Sequence, residues 1–261
     1  MPKIHLMIID THCHLDSLLE SSVDFLDSLS IFQNDHLTPH FIAMSVSPDN
    51  WSATLKLSLL YPNIHASLGI HPWYVTAQSR ASLQSLEDLL NVECVVALGE
   101  IGLDFSATYQ HSKLFQMDVL EAQLSLAEKF SKPISIHVVK AHNELYQSLR
   151  QRSMTGIIHG LGSSLEVAQN YVDCGFKIGV NGVLLRGNAH RYHALVRYFG
   201  TEHLVLETDY PNVKLPGVAK SNLHDSIRVA EQVATLLGLS FDDVLKTLND
   251  NAEQIFQLSS S

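Results

Sequence analysis

Several things are missing from this sequence, and each absence removes a class of protein. It has three cysteines, Cys13, Cys94 and Cys174, with no C-x-x-C pair among them. An odd count without paired spacing argues against a disulfide framework or a cysteine-ligated zinc module, and suits reduced thiols in the cytosol. No apolar run approaches the roughly 20 residues of a membrane-spanning helix. Met1-Pro2-Lys3 leads into a short strand-like run rather than a signal peptide. A cytoplasmic protein with no membrane partner is expected. Basic residues are scarce, 17 against 27 acidic, for a formal net charge of −10. That balance argues against a surface that wraps nucleic acid by charge alone, although metal ions in a nuclease supply positive charge locally. Absent too are a G-x-G-x-x-G turn after the first strand, a G-x-S-x-G elbow, a low-complexity linker and a fixed-period repeat. Dinucleotide-binding and serine-hydrolase readings lose their support accordingly.

What is present is alternation. Apolar runs at Ile4–Ile9, His40–Val46, Ile64–Ile70, Glu93–Gly99, Ile134–Val138, Thr155–His159, Phe176–Val180 and His203–Leu206 read as eight strands. Helical patterns separate them at Ser17–Phe32, Trp51–Tyr61, Arg80–Leu90, Ser112–Phe130, Ala141–Gln151, from Ser163 with Glu166 in a capping box, and Ala189–Phe199. Leu223–Leu237 and Phe241–Phe256 add two C-terminal helices. In 261 residues with 46% hydrophobic content, this order predicts an α/β fold, a (β/α)8 TIM barrel forming one domain over residues 1–261. A doubly wound open sheet is the competing architecture.

In a barrel, chemistry sits at the carboxyl ends of the strands. Those ends carry a share of the 15 histidines. His12 and His14 follow the first strand on one face of an extended backbone, with Cys13 turned away. His71 ends the third strand, Glu100 and then Asp104 the fourth, His137 the fifth, His159 the sixth, and Glu207 and Asp209 the eighth. A lone strand-end histidine is ordinarily a hydrogen-bonded core residue. A carboxylate at the end of Val95-Val96-Ala97-Leu98-Gly99 is harder to place, because a semi-buried charge needs a cation or metal beside it. Together, His12, His14, Glu100, His137, His159 and Asp209 exceed the needs of one tetrahedral ion and suit two divalent ions bridged by a carboxylate.

Six ordered stretches resemble the TatD family of metal-dependent hydrolases. They are Asp10-Thr11-His12-Cys13-His14-Leu15-Asp16, Gly69-Ile70-His71-Pro72, Gly99-Glu100-Ile101-Gly102-Leu103-Asp104, Pro133-Ile134-Ser135-Ile136-His137, Ile158-His159-Gly160 and Leu206-Glu207-Thr208-Asp209-Tyr210-Pro211. Asn251-Ala252-Glu253-Gln254-Ile255-Phe256 is similar to the family's closing helix. The resemblance implies a two-metal barrel that hydrolyses phosphoester bonds, usually in DNA. It implies that His12, His14 and Asp209 bind one ion, that Glu100 bridges, and that His137 and His159 hold the second. His71 and Asp104 would lie near substrate or behind the ligands, and Glu207 would orient one of them. The chain departs from the family pattern at Val139, where Arg is common, with Lys140 beside it, and at Leu161-Gly162-Ser163 in place of Phe-Ser-Gly. An arginine grips phosphate bidentately and a neighbouring lysine does not reproduce that.

The chemistry implied is attack by metal-activated water, with Asp209 as general base and Glu100 as bridge. Histidine and carboxylate ligands accommodate Zn, Mn, Mg, Ni or Fe, and the histidine content tilts toward transition metals. The expected partners are DNA or a small phosphoester or ester, and a monomer is expected. A barrel acting on an amide or lactone, and a metal-binding module without catalysis, are the alternatives. Glu100 stands where some related barrels carry a carbamylated lysine, which favours the TatD reading.

Overall fold

A computed structural model of the chain describes residues 6–16, 31–33 and 35–258. Its eight strands are β1 (Leu6–Cys13), β2 (Leu37–Met44), β3 (Ile64–Leu68), β4 (Val95–Asp104), β5 (Ile134–Val139), β6 (Gly156–Ile158), β7 (Phe176–Val180) and β8 (Leu204–Leu206). They pair in parallel in the order β1 to β8, so every connection is a crossover. The helices carrying those crossovers are α1 (Pro48–Leu60), α2 (Leu83–Leu89), α3 (Lys113–Phe130), α4 (His142–Leu149), α5 (Leu165–Asp173) and α6 (His190–Phe199). α7 (Asp225–Leu237) and α8 (Phe241–Phe256) follow the last strand. This is the (β/α)8 barrel expected from the alternation. The helix expected over Ser17–Phe32 falls mostly on residues 17–30, outside the described residues.

Strand periodicity sorts the core into two layers. Ile8, Phe41, Leu98, Ile158, Leu204 and Leu206 pack outward against helix residues such as Leu57, Leu120, Leu145, Val229 and Leu245. Their neighbours Ile9, Ile42, Ala97, Ile157 and Val205 form a separate cluster with Ala252, Ile255 and Phe256 of α8. Residues from β1, β2, β4, β6 and β8 can meet only in the lumen, so α8 closes the barrel at its amino end.

The seam between β8 and β1 is held mainly by polar side chains. At the amino end, Asn249 of α8 accepts from Ile9 N at 3.1 Å and donates to Met7 O at 2.6 Å. Asn251 donates to Leu204 O at 2.7 Å and Thr201 O at 2.8 Å. One helix thus fastens both strands of the seam. At the carboxyl end, Thr11 Oγ1 donates to Leu206 O at 2.9 Å, Asp209 N to His12 O at 2.9 Å and His14 N to Tyr210 O at 2.7 Å.

Three of the boundaries that differ from the sequence expectation have a visible cause. β1 runs through His12 to Cys13 because its polar end pairs across the seam. β4 continues past Gly99 to Asp104, pairing Ile101 with Ile136 and Gly102 with His137 after a register shift, so Glu100 lies within the strand. α5 is capped by Ser164, whose Oγ accepts from Val167 N at 3.4 Å. That register removes Glu166 from the capping-box position.

Replacing Asn249 by Ala would strip partners from the buried Ile9 N–H and Met7 carbonyl. The expected loss is roughly 2–4 kcal/mol of stability. It should appear as a lower urea midpoint at unchanged slope, and an unchanged midpoint would contradict the clamp.

Candidate metal centre

The polar strand ends meet around one carboxylate. Glu100 is 3% exposed and faces histidines with both oxygens. Its Oε2 lies 3.4 Å from His12 Nε2 and 3.5 Å from His14 Nε2. Its Oε1 lies 3.3 Å from His137 Nδ1 and 3.4 Å from His71 Nε2. Asp209 spans the other side, with Oδ1 3.5 Å from His14 Nε2 and Oδ2 3.6 Å from His159 Nε2. These separations exceed the roughly 2.7–2.9 Å of a charge-assisted hydrogen bond. They match the edge of about 3.4 Å between two ligand atoms each about 2.1 Å from a tetrahedral ion. His12 Nε2 is also buried without a hydrogen-bond partner among the described residues. Donor chemistry and spacing therefore both fit divalent metal.

The outer nitrogens of four of the five rings have neighbours that sort the histidines. His12 Nδ1 lies 2.9 Å from Ser135 Oγ, His137 Nε2 3.4 Å from Asp104 Oδ2, and His159 Nδ1 3.0 Å from Glu207 Oε1. A proton held on that nitrogen leaves the other with its lone pair toward Glu100 or Asp209, as metal ligation requires. His71 is reversed. Its Nδ1 accepts from Trp73 N at 3.2 Å, which puts the proton of the neutral ring on Nε2, facing Glu100. His71, Glu100 and His137 do bring three donor atoms together, as do His12, His14, Glu100 and His12, His159, Glu207. The direction of its proton makes His71 a hydrogen-bond donor to Glu100 rather than a ligand.

The supporting residues are buried and closely fitted. Glu207 is fully buried and accepts from Gly160 N and Asn181 Nδ2, both at 2.9 Å. Its side chain lies over Gly179, where a Cβ would come within 2.0 Å of Oε2. Asp10 accepts from His12 N, Thr208 N and, at 2.5 Å, Thr208 Oγ1, tying β1 to the segment after β8. Asp209 sits at φ 54°, in the left-handed region, with its Oδ1 accepting from Asn212 Nδ2 at 3.0 Å. An off-minimum backbone at a residue of this kind is a recurring property of functional sites.

Burial opposes every charge in the cluster. Around Glu100 it is outweighed by His71 and His12, which hold the carboxyl well below the usual range. Asp209 is lowered in the same way by His159 and His14. Burial is outweighed at His159 by Glu207 and Asp209, which push it up to about 10. His14, against Asp209 and Glu100, and His137, against Asp104 and Glu100, are also raised. Burial prevails at His12 and His71, which are lowered, and at Asp10, which rises to about 7.

A cavity of about 350 Å³ opens onto the cluster. His14, His71, Glu100, His137, His159 and Asp209 line it, with Trp73 and Tyr74 on one wall and Asn50, Pro211 and Asn212 elsewhere. No Lys or Arg is among its described lining residues. Lys140, singled out beside Val139, is exposed and does not line the cavity. Asp104 is buried beneath His137, where its Oδ2 also accepts from Trp73 Nε1 at 2.6 Å. Ser135 and Trp73 were not picked out in the sequence. Ser135 shares a strand face with His137 two residues on, and that period alone marks it.

The TatD related DNase family model matches residues 9–257. Over 257 residues the chain is 30% identical to YjjV of Escherichia coli K12, an uncharacterized metal-dependent hydrolase, covering 96% of this chain and 98% of YjjV. It is 26% identical over 258 residues to YabD of Bacillus subtilis strain 168, described in the same words, covering 97% and 100%. The crystal structure of YjjV, a TatD homolog, superposes with a TM-score of 0.87 at 29% identity, covering 97% of this chain and 98% of YjjV. A TatD family hydrolase from Entamoeba histolytica, 19% identical, shares the fold with a TM-score of 0.81 over 97% and 99% of the two chains.

His159, pushed up to about 10, is protonated at neutral pH in the metal-free protein, and His14 and His137 are shifted in the same direction by their carboxylate neighbours. A divalent ion must displace those protons, so uptake releases protons and strengthens as pH rises. Calorimetric titration of metal into the stripped protein, in buffers of different ionisation enthalpy, measures both. Affinity that is flat or falls with rising pH would refute the assignment of these rings as ligands.

Proposed function

The chain belongs to the TatD related DNase family of metal-dependent hydrolases, and from that premise we propose that its centre hydrolyses phosphoester bonds, in DNA or in a small phosphoester. The observation that carries this reading is Glu100, one buried carboxylate with an oxygen turned to His12 and His14 and the other to His137. That is the arrangement expected of a bridge between two divalent ions. His12, His14, Glu100 and Asp209 would hold one, and Glu100, His137 and His159 the other. Zn, Mn, Mg, Ni and Fe remain the candidate ions, with histidine-rich ligation favouring a transition metal. Such ions supply acidified water and polarisation of the scissile ester.

The chain's own groups then have separable duties. Asp209, held deprotonated by His159 and His14, is able to accept a proton from the attacking water. Asn212 fixes the carboxylate through its Oδ1. His71, with Nε2–H turned into the cavity, steadies Glu100 and offers a neutral donor beside the scissile group. Asp104, Glu207 and Ser135 hold the tautomers that keep ligand lone pairs directed inward.

DNA as substrate draws support from the loops at the carboxyl end. Those after β5, β7 and β8 carry Lys140, Arg186, Lys214 and Lys220, and their only acidic residues are Glu207 and Asp209. This basic rim sits on a chain of net charge −10 and would attract a phosphate backbone entering the cavity. The cation-free lining inside favours the second reading, a small ester whose single charge is met at the centre.

Labelled single-stranded DNA should be degraded by the purified protein with Mg²⁺ or Mn²⁺ and spared with EDTA. Glu100→Ala and Asp209→Ala should each lower turnover by about 10²–10⁴-fold with an unchanged circular dichroism spectrum. Wild-type turnover by Asp209→Ala would remove its role as base. Intact DNA alongside hydrolysis of a small phosphoester would select the second reading.

A further inference from the structure

The wall of the cavity nearest His71 is aromatic, and its construction is not needed for holding metal. Trp73 and Tyr74 stand on a single 3-10 turn, Pro72–Tyr74, directly after His71. Both are large and about half exposed, 47% and 51%, and both line the cavity. An unoccupied aromatic at a rim is ordinarily free to rotate. Trp73 is pinned at three places. Its Nε1 donates to Asp104 Oδ2 at 2.6 Å. Tyr109 stacks against it with centroids 5.1 Å apart and planes 12° from parallel. The His71 ring meets it edge-on at 4.8 Å and 84°. Holding an indole this firmly while leaving so much of it uncovered is the preorganisation expected of a stacking platform, because no side-chain freedom is left to lose on binding. The same His71 ring lies 3.4 Å from Glu100, so the platform adjoins the reacting centre. The rest of the lining, Asp16, Val46, Asn50, Pro211 and Asn212, offers no cation that would select a second phosphate instead.

We propose that Trp73 and Tyr74 form a subsite for a planar ring carried by the substrate next to its scissile ester, so that the centre prefers aryl or heteroaryl esters to ring-free ones. This rests on the hydrolase reading for the position of the scissile group. A simple aryl group and a nucleobase offer the same stacking chemistry. Trp73 is then a specificity-determining residue, and its bond to Asp104 is what orients the platform. Aromatic stacking of a planar ring is worth roughly five- to hundredfold in affinity when the side chain is cut to Ala.

Binding of three non-scissile or product-like probes to the metal-loaded protein tests this by calorimetry: phenylphosphonate, methylphosphonate and adenosine 5′-monophosphate. The expected result is at least tenfold tighter binding of phenylphosphonate than of methylphosphonate. In Trp73→Ala that ratio should fall to near one. In Trp73→Phe, which keeps a ring and loses the bond to Asp104, the ratio should stay well above one. The nucleotide arm distinguishes the ring's source: binding tighter than phenylphosphonate points to a nucleobase, weaker binding to a simple aryl group. A ratio near one in the wild type, or a ratio untouched in Trp73→Ala, overturns the proposal. KM values for p-nitrophenyl phosphate and glycerol phosphate repeat the comparison in turnover. Should no phosphoester be hydrolysed, the hydrolase reading fails while the binding ratio still decides the subsite.

Discussion

A parallel barrel has to join its last strand to its first, and here that junction and the candidate centre are the same piece of structure. β8 is only three residues long, Leu204–Leu206, so little ladder is available to pair it with β1. The chain continues the junction past the strand through Asp209 N to His12 O and His14 N to Tyr210 O. These bonds fix the backbone of the residues whose side chains converge on Glu100. Asp10 adds a third fastening through Thr208. Closing the barrel therefore sets the spacing of His12, His14 and Asp209, and a substitution that loosens the seam acts on the centre as well as on stability. Asn249 and Asn251 supply the opposite fastening, away from the chemistry.

Such a cluster is costly to fold without metal. Five histidines and two carboxylates lie at contact distances of 3.3 to 3.6 Å, all longer than a strong hydrogen bond. Charged groups in this setting are stabilised chiefly by one another, and His159 is raised to about 10 for that reason. Buried ionic groups of this kind rarely add net stability. Their arrangement is instead what a cation would find already assembled. The residues behind the rings do the assembling: Ser135 and Asp104 each hydrogen-bond one imidazole nitrogen of His12 and His137, and Glu207 sets its charge 3.0 Å from His159 Nδ1, with the other nitrogens facing inward. His71 shows how much the backbone decides, since a single N–H from Trp73 reverses its polarity.

The architecture was legible because barrel strands announce themselves by apolar runs and barrel chemistry by polar residues at their ends. All eight strands lie where the runs of apolar residues are, and His12, His14, Glu100, His137, His159 and Asp209 do converge. Periodicity did not reveal where β4 ends, because Gly99 looks like a terminator while the strand carries on through a register shift that only its neighbour β5 explains. Ser164 rather than Ser163 caps α5 because a cap is chosen by backbone dihedral, which two adjacent serines do not distinguish. Glu207 was recognisable as a carboxylate near ligands, but its dependence on Gly179 was not. A glycine in a strand signals a close approach without saying by what. Lys140 was the opposite case: three residues after His137 and just past the strand's end, it is exposed and outside the cavity, where the chain turns at φ 54°.

The departure at Val139 is best understood together with the cavity wall. An arginine at a strand end would meet a phosphate as a planar, bidentate cation. Here the wall nearest the centre offers indole and phenol surface, and positive charge is confined to the rim loops beyond it. Charge at the rim acts over about 8–10 Å at physiological salt and is indifferent to what carries the anion. Contact at the wall is short-ranged and selects for shape. On the proposed reading, capture of an anion and discrimination among anions would fall to different residues. On that reading, a pinned aromatic and no cation at the wall would move selectivity from the number of phosphates to the group attached to one. A hydrolytic centre built on Glu100 and Asp209 would keep its chemistry under such a change, because Glu100 is faced by His12, His14 and His137 as well as by His71. Two links join the wall to the centre: the His71 ring, edge-on to Trp73 and 3.4 Å from Glu100, and Asp104, which serves Trp73 on one side and His137 on the other through a single oxygen. Through that oxygen, whatever settles on the indole is felt by the ring that faces Glu100.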